Sequence, residues 1–234
     1  MIKKILVPTD GSDSAAFGVT SAVELAQSFK AHIQGIYVVD VKLLEGPFLQ
    51  DLSASLGTAP YVNYQGNISM LLEERGKNAL DYLKKACEAA GVPCDVKQTS
   101  GVVSRTITEH SGLSDLIVMG RGGEHSEWLE GLIGSTAEAV IRRSTLPVLI
   151  TGQESLGKER ILVAYDGSSH AKNALKTAVF FAEVSELIVE TARSLNADLI
   201  VMGAYGHSKV RELVVGSTTS YVINHATCPV LLAR

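Results

Sequence analysis

The chain has 234 residues, 46% of them hydrophobic and 20% charged, which is ample material for buried cores and, at roughly 100 to 200 residues per domain, points to two small domains. The formal net charge of −4 argues against a nucleic-acid or anionic-membrane partner, because such binding needs a clustered excess of Lys and Arg. No run approaches the roughly 18 apolar residues that span a bilayer, and the opening Ile5-Leu6-Val7 is too short for a signal peptide, so a cytoplasmic location is expected. The three cysteines, Cys87, Cys94 and Cys228, show no CxxC or zinc-type spacing and are expected to be reduced and structural.

In chain order, a short apolar run from Ile5 to Val7 predicts a strand buried on both faces of a parallel sheet. Asp10-Gly11-Ser12 marks a turn, and Ala15, Val19, Ala22, Val23, Ala26 and Phe29 then recur at helical spacing. A strand is expected near His32 to Val39, an irregular segment from Asp40 to Gly66, a long helix from about Ile68 to Ala90 and a strand near Val92 to Gln98. A short helix near Val103 to His110, a strand at Leu116 to Met119, a helix from Ser135 to Arg143 and a strand at Val148 to Ile150 follow. This alternation predicts a parallel sheet with helices on both faces.

The chain repeats itself. Lys4-Ile5-Leu6-Val7-Pro8-Thr9-Asp10-Gly11-Ser12 returns as Arg160-Ile161-Leu162-Val163-Ala164-Tyr165-Asp166-Gly167-Ser168, 156 residues later. Asp115-Leu116-Ile117-Val118-Met119-Gly120 returns as Asp198-Leu199-Ile200-Val201-Met202-Gly203, only 83 residues later. Gly134-Ser135-Thr136 and Pro147-Val148-Leu149 return as Gly216-Ser217-Thr218 and Pro229-Val230-Leu231. Thus 73 residues of the first copy have no counterpart in the second. The expected organisation is a complete module over 1–152, a linker over about 153–157 and a shortened module over 158–234. The second copy should open on a strand at Ile161 to Val163, continue with a helix carrying Ala171, Ala174, Leu175 and Ala178, and add helix across Glu183 to Leu195. It lacks the middle strands and the long helix, which would leave its first strand with an uncovered edge. Either another surface covers that edge, or the native protein carries residues that this sequence lacks.

In a doubly wound sheet, ligands bind at the carboxyl ends of strands where the winding order reverses. Asp10 and Gly120 would lie there in the first copy, as would Asp166 and Gly203 in the second. Gly203-Ala204-Tyr205-Gly206, then Gly216-Ser217-Thr218 nine residues on, puts glycines after a strand and at a helix start, where backbone amides and the helix dipole favour an anion. Ser217 and Thr218 would either donate hydroxyls or cap the helix. In the first copy, ten residues separate Gly123 from Gly134, one more than in the second. Asp10 and Asp166 also suit a plain turn or helix cap. Arg121 could offset phosphate charge or simply be solvated. His125 and His207 lack metal-site spacing, so no structural metal is expected, and Trp128 with Leu129, Leu132 and Ile133 is expected to pack. There is no GxxxxGK[ST], GxSxG or GxGxxG run.

The strand followed by Asp-Gly-Ser, the Asp-Leu-Ile-Val-Met-Gly strand, the spaced glycines and the Pro-Val-Leu close occur in order, and in this the chain resembles the universal stress protein (UspA-like) family in its tandem form. The resemblance covers Ile2 to Ile150 and both ends of the second copy. It implies an α/β fold of two doubly wound parallel-sheet modules, adenine nucleotide alpha hydrolase-like, the second missing its middle strands. In the family's nucleotide-binding members the segment ending the first strand, here Pro8, Thr9 and Asp10 or Asp166, lies near adenosine, and the end of strand two, here Val39, beside adenine. Gly120, Gly123, Gly134, Ser135 and Thr136, or Gly203, Gly206, Gly216, Ser217 and Thr218, would hold phosphates. The resemblance further implies that the terminal strands meet across a pseudo-twofold axis within one chain, with a homodimer as a further option.

Two readings follow. One is a stress-response regulator that binds ATP, with or without Mg, or a related adenine nucleotide at the first copy. It would signal through the loops from Asp40 and Gly120 to a protein partner, with at most slow ATPase activity. The other is a dimerisation or interaction scaffold that binds no nucleotide, which the extra loop residue and the shortened second copy favour.

Overall fold

The computed structural model describes residues 2–45, 61–123, 133–152, 162–164, 166–181, 191, 193–203, 222–224 and 226–233. The chain divides into two compact units, Met1–Leu156 and Gly157–Arg234.

In the first unit, Lys4–Pro8 forms β1. It is central, paired in parallel with β2 (His32–Asp40) from Lys4↔His32 to Pro8↔Ile36 and with β4 (Leu116–Gly120) at Ile5↔Leu116 and Leu6↔Ile117. Helices cover both faces of that sheet, so Ile5, Leu6 and Val7 are all fully buried and the strand reads as a continuous apolar run. β3 (Cys94–Gly101) and β5 (Val148–Thr151) complete the parallel order β3-β2-β1-β4-β5. The chain winds outward from β1 to β3, then returns to the other side of β1 through β4. The winding order therefore reverses between β1 and β4.

The helices follow from caps and apolar stripes. Ser12 caps α1 (Asp13–Phe29), its hydroxyl accepting the Ala15 amide at 3.2 Å, and Asp13 sits in the first turn where the helix dipole favours an anion. Val19, Ala22, Leu25 and Ala26 are buried along one stripe. α2 (Val41–Glu45) follows β2, and α3 (Tyr61–Ala89) leads to β3. The long helix thus begins seven residues before the Ile68 expected from apolar periodicity. Its first two turns carry Asn63, Gly66 and Asn67, whose weak helix propensity conceals the start. Of the segment Asp40 to Gly66, expected to be irregular, both ends are helical and 46–60 lies outside the described residues.

α4 (Val103–His110) and α5 (Ser135–Arg143) lie on one face of the sheet, where Ile107, Ala137 and Val140 pack with Leu6, Ile36, Ile117 and Met119. On the other face, Ala79 and Leu80 of α3 pack on Tyr37 and Val39. β2 therefore sends Ile36 to one side and Val39 to the other, as its period of two requires.

The second unit contains α6 (Ser169–Phe181) and a parallel pair of strands, β6 (Ile200–Gly203) and β7 (Val230–Ala233), in register from Ile200↔Val230. Ile200 and Val222 form its buried cluster with Ala226, Cys228 and Val230 around them. The strand expected at Ile161 to Val163 is not formed at residues 162–164, and Leu162 is 97% exposed where its counterpart Leu6 is fully buried. In the first unit the same apolar triplet is a central strand, paired with β2 and β4, and the second copy has no sequence counterpart of β2. Of the helix expected over Glu183 to Leu195, 191, 193 and 194 are helical and most of the rest lies outside the described residues.

All three cysteines are unbridged. Burial, followed by the neighbouring Cys94, pushes the Cys87 thiol up to about 12. A folded-state value above the unfolded one means that this stabilisation is complete below about pH 9 and is lost as pH rises towards about 12. Urea unfolding at pH 8, 9.5 and 10.5 should show wild type losing stability more steeply with pH than Cys87→Ala; equal slopes would contradict this placement.

Candidate functional site

β1 ends at Pro8, β4 ends at Gly120, and a cleft of about 380 Å³ opens beyond them, within the usual range for small-molecule sites. Its first wall is the Asp10 turn. The Asp10 Oδ1 accepts from the Ser12 amide at 3.0 Å and the Ser12 hydroxyl at 2.6 Å, which lets Gly11 take φ of +82° before α1 begins. Asp10 is thus a turn former, and Ser12, two residues later, is the helix cap.

The second wall is the glycine loop. Gly120 is pressed against α1: a Cβ there would sit 2.3 Å from the Ser14 carbonyl oxygen. The next residues are held at both ends of the loop. Gly122 donates its amide to Ser14 Oγ at 3.0 Å, and Gly134 donates to the Arg121 carbonyl at 2.9 Å. Whatever path 124–132 follows, the two rims of the cleft are tied together. The extra residue in this loop therefore falls between fixed ends.

The third wall is the amino terminus of α5. Its N-cap is Gly134, with no side-chain cap, so Ser135 and Thr136 occupy the first helical turn and do not cap it. The first-turn amides have no intrahelical partner and form the positive end of the helix dipole. The remaining wall is apolar, built by Ile36, Val38, Leu72, Val103 and Ile107. Two carboxylates, Asp10 and Asp40, stand at this cleft, and among the described residues its lining contains no lysine, arginine or histidine.

Pro8, Thr9, Asp10, Gly120, Gly123, Gly134, Ser135 and Thr136 all line this one cleft. Val39 does not; it is buried on the opposite face beneath α3, and Val38 and Asp40 occupy the lining. The run Tyr37-Val38-Val39 is apolar throughout, so its alternation is hidden, although counting by twos from Ile36 would have selected Val38 and Asp40. Ser14 was also missed, since from sequence it is an ordinary polar position on α1. Arg121 contributes its carbonyl to the loop closure.

In the second unit, Asp166 repeats the Asp10 turn. Its Oδ1 accepts from the Ser168 amide at 2.9 Å, Gly167 has φ of +82° and Ser168 Oγ accepts from Ala171 at 3.1 Å. Hydrogen bonds from the Ser168 hydroxyl, then from its amide, hold the Asp166 carboxyl below its ordinary value. Gly203 ends β6. Gly206, Gly216, Ser217, Thr218 and His207 lie outside the described residues, as do His125, Trp128, Leu129 and Leu132 of the first unit. Among the described residues no group of three His, Cys, Asp or Glu could hold a metal ion, and no helix is long and apolar enough to cross a membrane.

Residues 1–152 and 180–234 match the Universal stress protein family. Universal stress protein MJ0531 of Methanocaldococcus jannaschii is 38% identical over 153 residues, covering 64% of this chain and 82% of the relative. Universal stress protein Slr1230 of Synechocystis sp. is 27% identical over 287 aligned positions, covering the whole of both chains. Set against 234 residues, 287 positions leave at least 53 with no residue of this chain opposite them. The solved structure of hypothetical protein MJ0577 superposes with a TM-score of 0.52 at 26% identity, covering 64% of this chain and 95% of that one.

Gly120→Ala should lower the unfolding free energy by about 1–3 kcal/mol, because the new methyl meets backbone of α1 that cannot swing aside. Denaturant titration would show a lower midpoint; an unchanged midpoint would contradict the close approach.

Proposed function

The chain belongs to the universal stress protein family, and on that footing we propose that its first unit binds an adenine nucleotide in the cleft beyond β1 and β4. The observation that carries this reading is the uncapped start of α5 facing the same cleft as an apolar wall. The two ends of the cleft match the two ends of a nucleotide. An aromatic base suits the wall of Ile36, Val38, Leu72, Val103 and Ile107, and phosphate suits the first-turn amides with the hydroxyls of Ser135 and Thr136. Asp10, at the turn that also lines this cleft, would accept hydrogen bonds from ribose hydroxyls.

The charge balance argues for binding with little hydrolysis. Phosphoryl transfer is accelerated by cations aimed at the developing charge, whereas among the described residues lining the cleft the anion-binding groups are backbone amides and hydroxyls. A triphosphate also brings charge towards Asp10 and Asp40. A divalent ion arriving with ATP, held by its phosphates and these carboxylates, would offset both. The protein would then act as a stress-response regulator, with the segments after Asp40 and Gly123 carrying nucleotide occupancy to a protein partner.

Thermal unfolding with saturating nucleotide tests the reading. A ligand at a hundred times its Kd adds about 2.7 kcal/mol to stability, or about 5–10 °C in a chain of this size. AMP and Mg-ATP should both raise the Tm, and EDTA should weaken the ATP effect more than the AMP effect. No shift with either, in protein free of copurified nucleotide, would favour a non-binding scaffold.

A further inference from the structure

The amino-terminal turn of α1 and the glycine loop are 108 residues apart in sequence, yet one hydrogen bond joins them, from the Gly122 amide to Ser14 Oγ at 3.0 Å. Ser14 is the second residue of α1, two after the capping Ser12. Its carbonyl and hydroxyl oxygens lie 2.3 Å and 2.6 Å from where a Gly120 Cβ would stand, so the start of the loop lies flat on this turn. Gly122 in turn abuts Gly134, whose Cβ position is 3.2 Å from the Gly122 Cα. Gly134 is the N-cap of α5. Ser14 is thus linked through Gly122 and Gly134 to the amides at the anion end of the cleft.

We propose that Ser14 is a positioning residue for the phosphate group of the bound nucleotide. The inference rests on the nucleotide reading above and adds to it a residue that need not touch the ligand. By accepting from Gly122, the hydroxyl fixes the direction of the Gly122 peptide and the distance at which Gly134 and the first turn of α5 stand from the Asp10 turn. Three of the four residues at the loop start, Gly120, Gly122 and Gly123, carry no side chain, so their peptide directions are set by backbone contacts such as this one. Without the hydroxyl, the loop must give up conformational freedom each time phosphate binds, and affinity falls. The apolar wall is carried by β2, α3 and α4, none of which this hydrogen bond reaches. The effect is therefore confined to the phosphate end, which separates positioning from a general contribution to folding.

Calorimetric titration of the full chain with AMP and with adenosine tests this, using wild type, Ser14→Ala and Ser14→Thr. Ser14→Ala should bind AMP about three- to tenfold more weakly, the effect of losing one net hydrogen bond, and adenosine within about twofold of wild type. Ser14→Thr, which keeps the hydroxyl, should recover most of the AMP affinity. If Ser14→Ala binds AMP like wild type, or loses AMP and adenosine by the same factor, the positioning role is wrong. Should Ser14→Ala fail to fold, Ser14→Cys, with its weaker acceptor, replaces it under the same two criteria. Wild-type protein that binds neither compound overturns the nucleotide reading itself, and the positioning role with it.

Discussion

A buried parallel strand needs a hydrogen-bonding neighbour on each edge, and that requirement organises both units. In the first, β2 and β4 flank β1, and Ile5, Leu6 and Val7 disappear from solvent. Since the chain leaves β1 towards β2 and returns through β4, the segments beyond the two strand ends diverge and leave a crevice. The cleft is thus a consequence of strand order. In the second unit the same sequence, Ile161-Leu162-Val163, has no β2 counterpart to pair with, and Leu162 stands in solvent while β6 and β7 pair with each other. An apolar run fixes the capacity to form a strand; its partners decide whether one forms.

The crevice becomes a chemically specific cleft through backbone placement. Gly120 permits contact with α1, the Asp10 turn directs the chain into α1, and the Arg121–Gly134 and Gly122–Ser14 hydrogen bonds tie the rims together. An anion bound there meets oriented N–H groups whose geometry is set before it arrives, which lowers the entropy cost of binding. These tethers also show why an extra residue in the loop need not spoil the cleft: Gly123 and Gly134 line it from either end of the insertion.

Much of this was legible in the sequence, for identifiable reasons. Continuous apolar runs bounded by turn residues located β1, β4 and β5, the strand expected near Val92 to Gln98 lies at Cys94–Gly101, and α4 and α5 begin and end where their periodicity placed them. Eight of the positions singled out from the first copy converge on one cleft because they sit at strand ends and a helix start, features that spacing encodes. Three things were hidden. The side of β2 facing the cleft could not be read from Tyr37-Val38-Val39, where apolar residues point both ways. The start of α3 carries Asn63, Gly66 and Asn67, which form helix there against their propensity. The role of Ser14 depends on a contact spanning most of the first unit, and no local pattern in α1 reports it.

The central claim is that one cleft, in the first unit, takes the nucleotide. Hydrogen–deuterium exchange with and without saturating AMP addresses it directly, since bound phosphate must protect the amides that hold it. Exchange should slow at 120–123 and 134–138, with a smaller effect at 9–15, and stay unchanged at 166–181 and 199–203. Protection confined to the second unit, or none anywhere while calorimetry reports saturation, would contradict it.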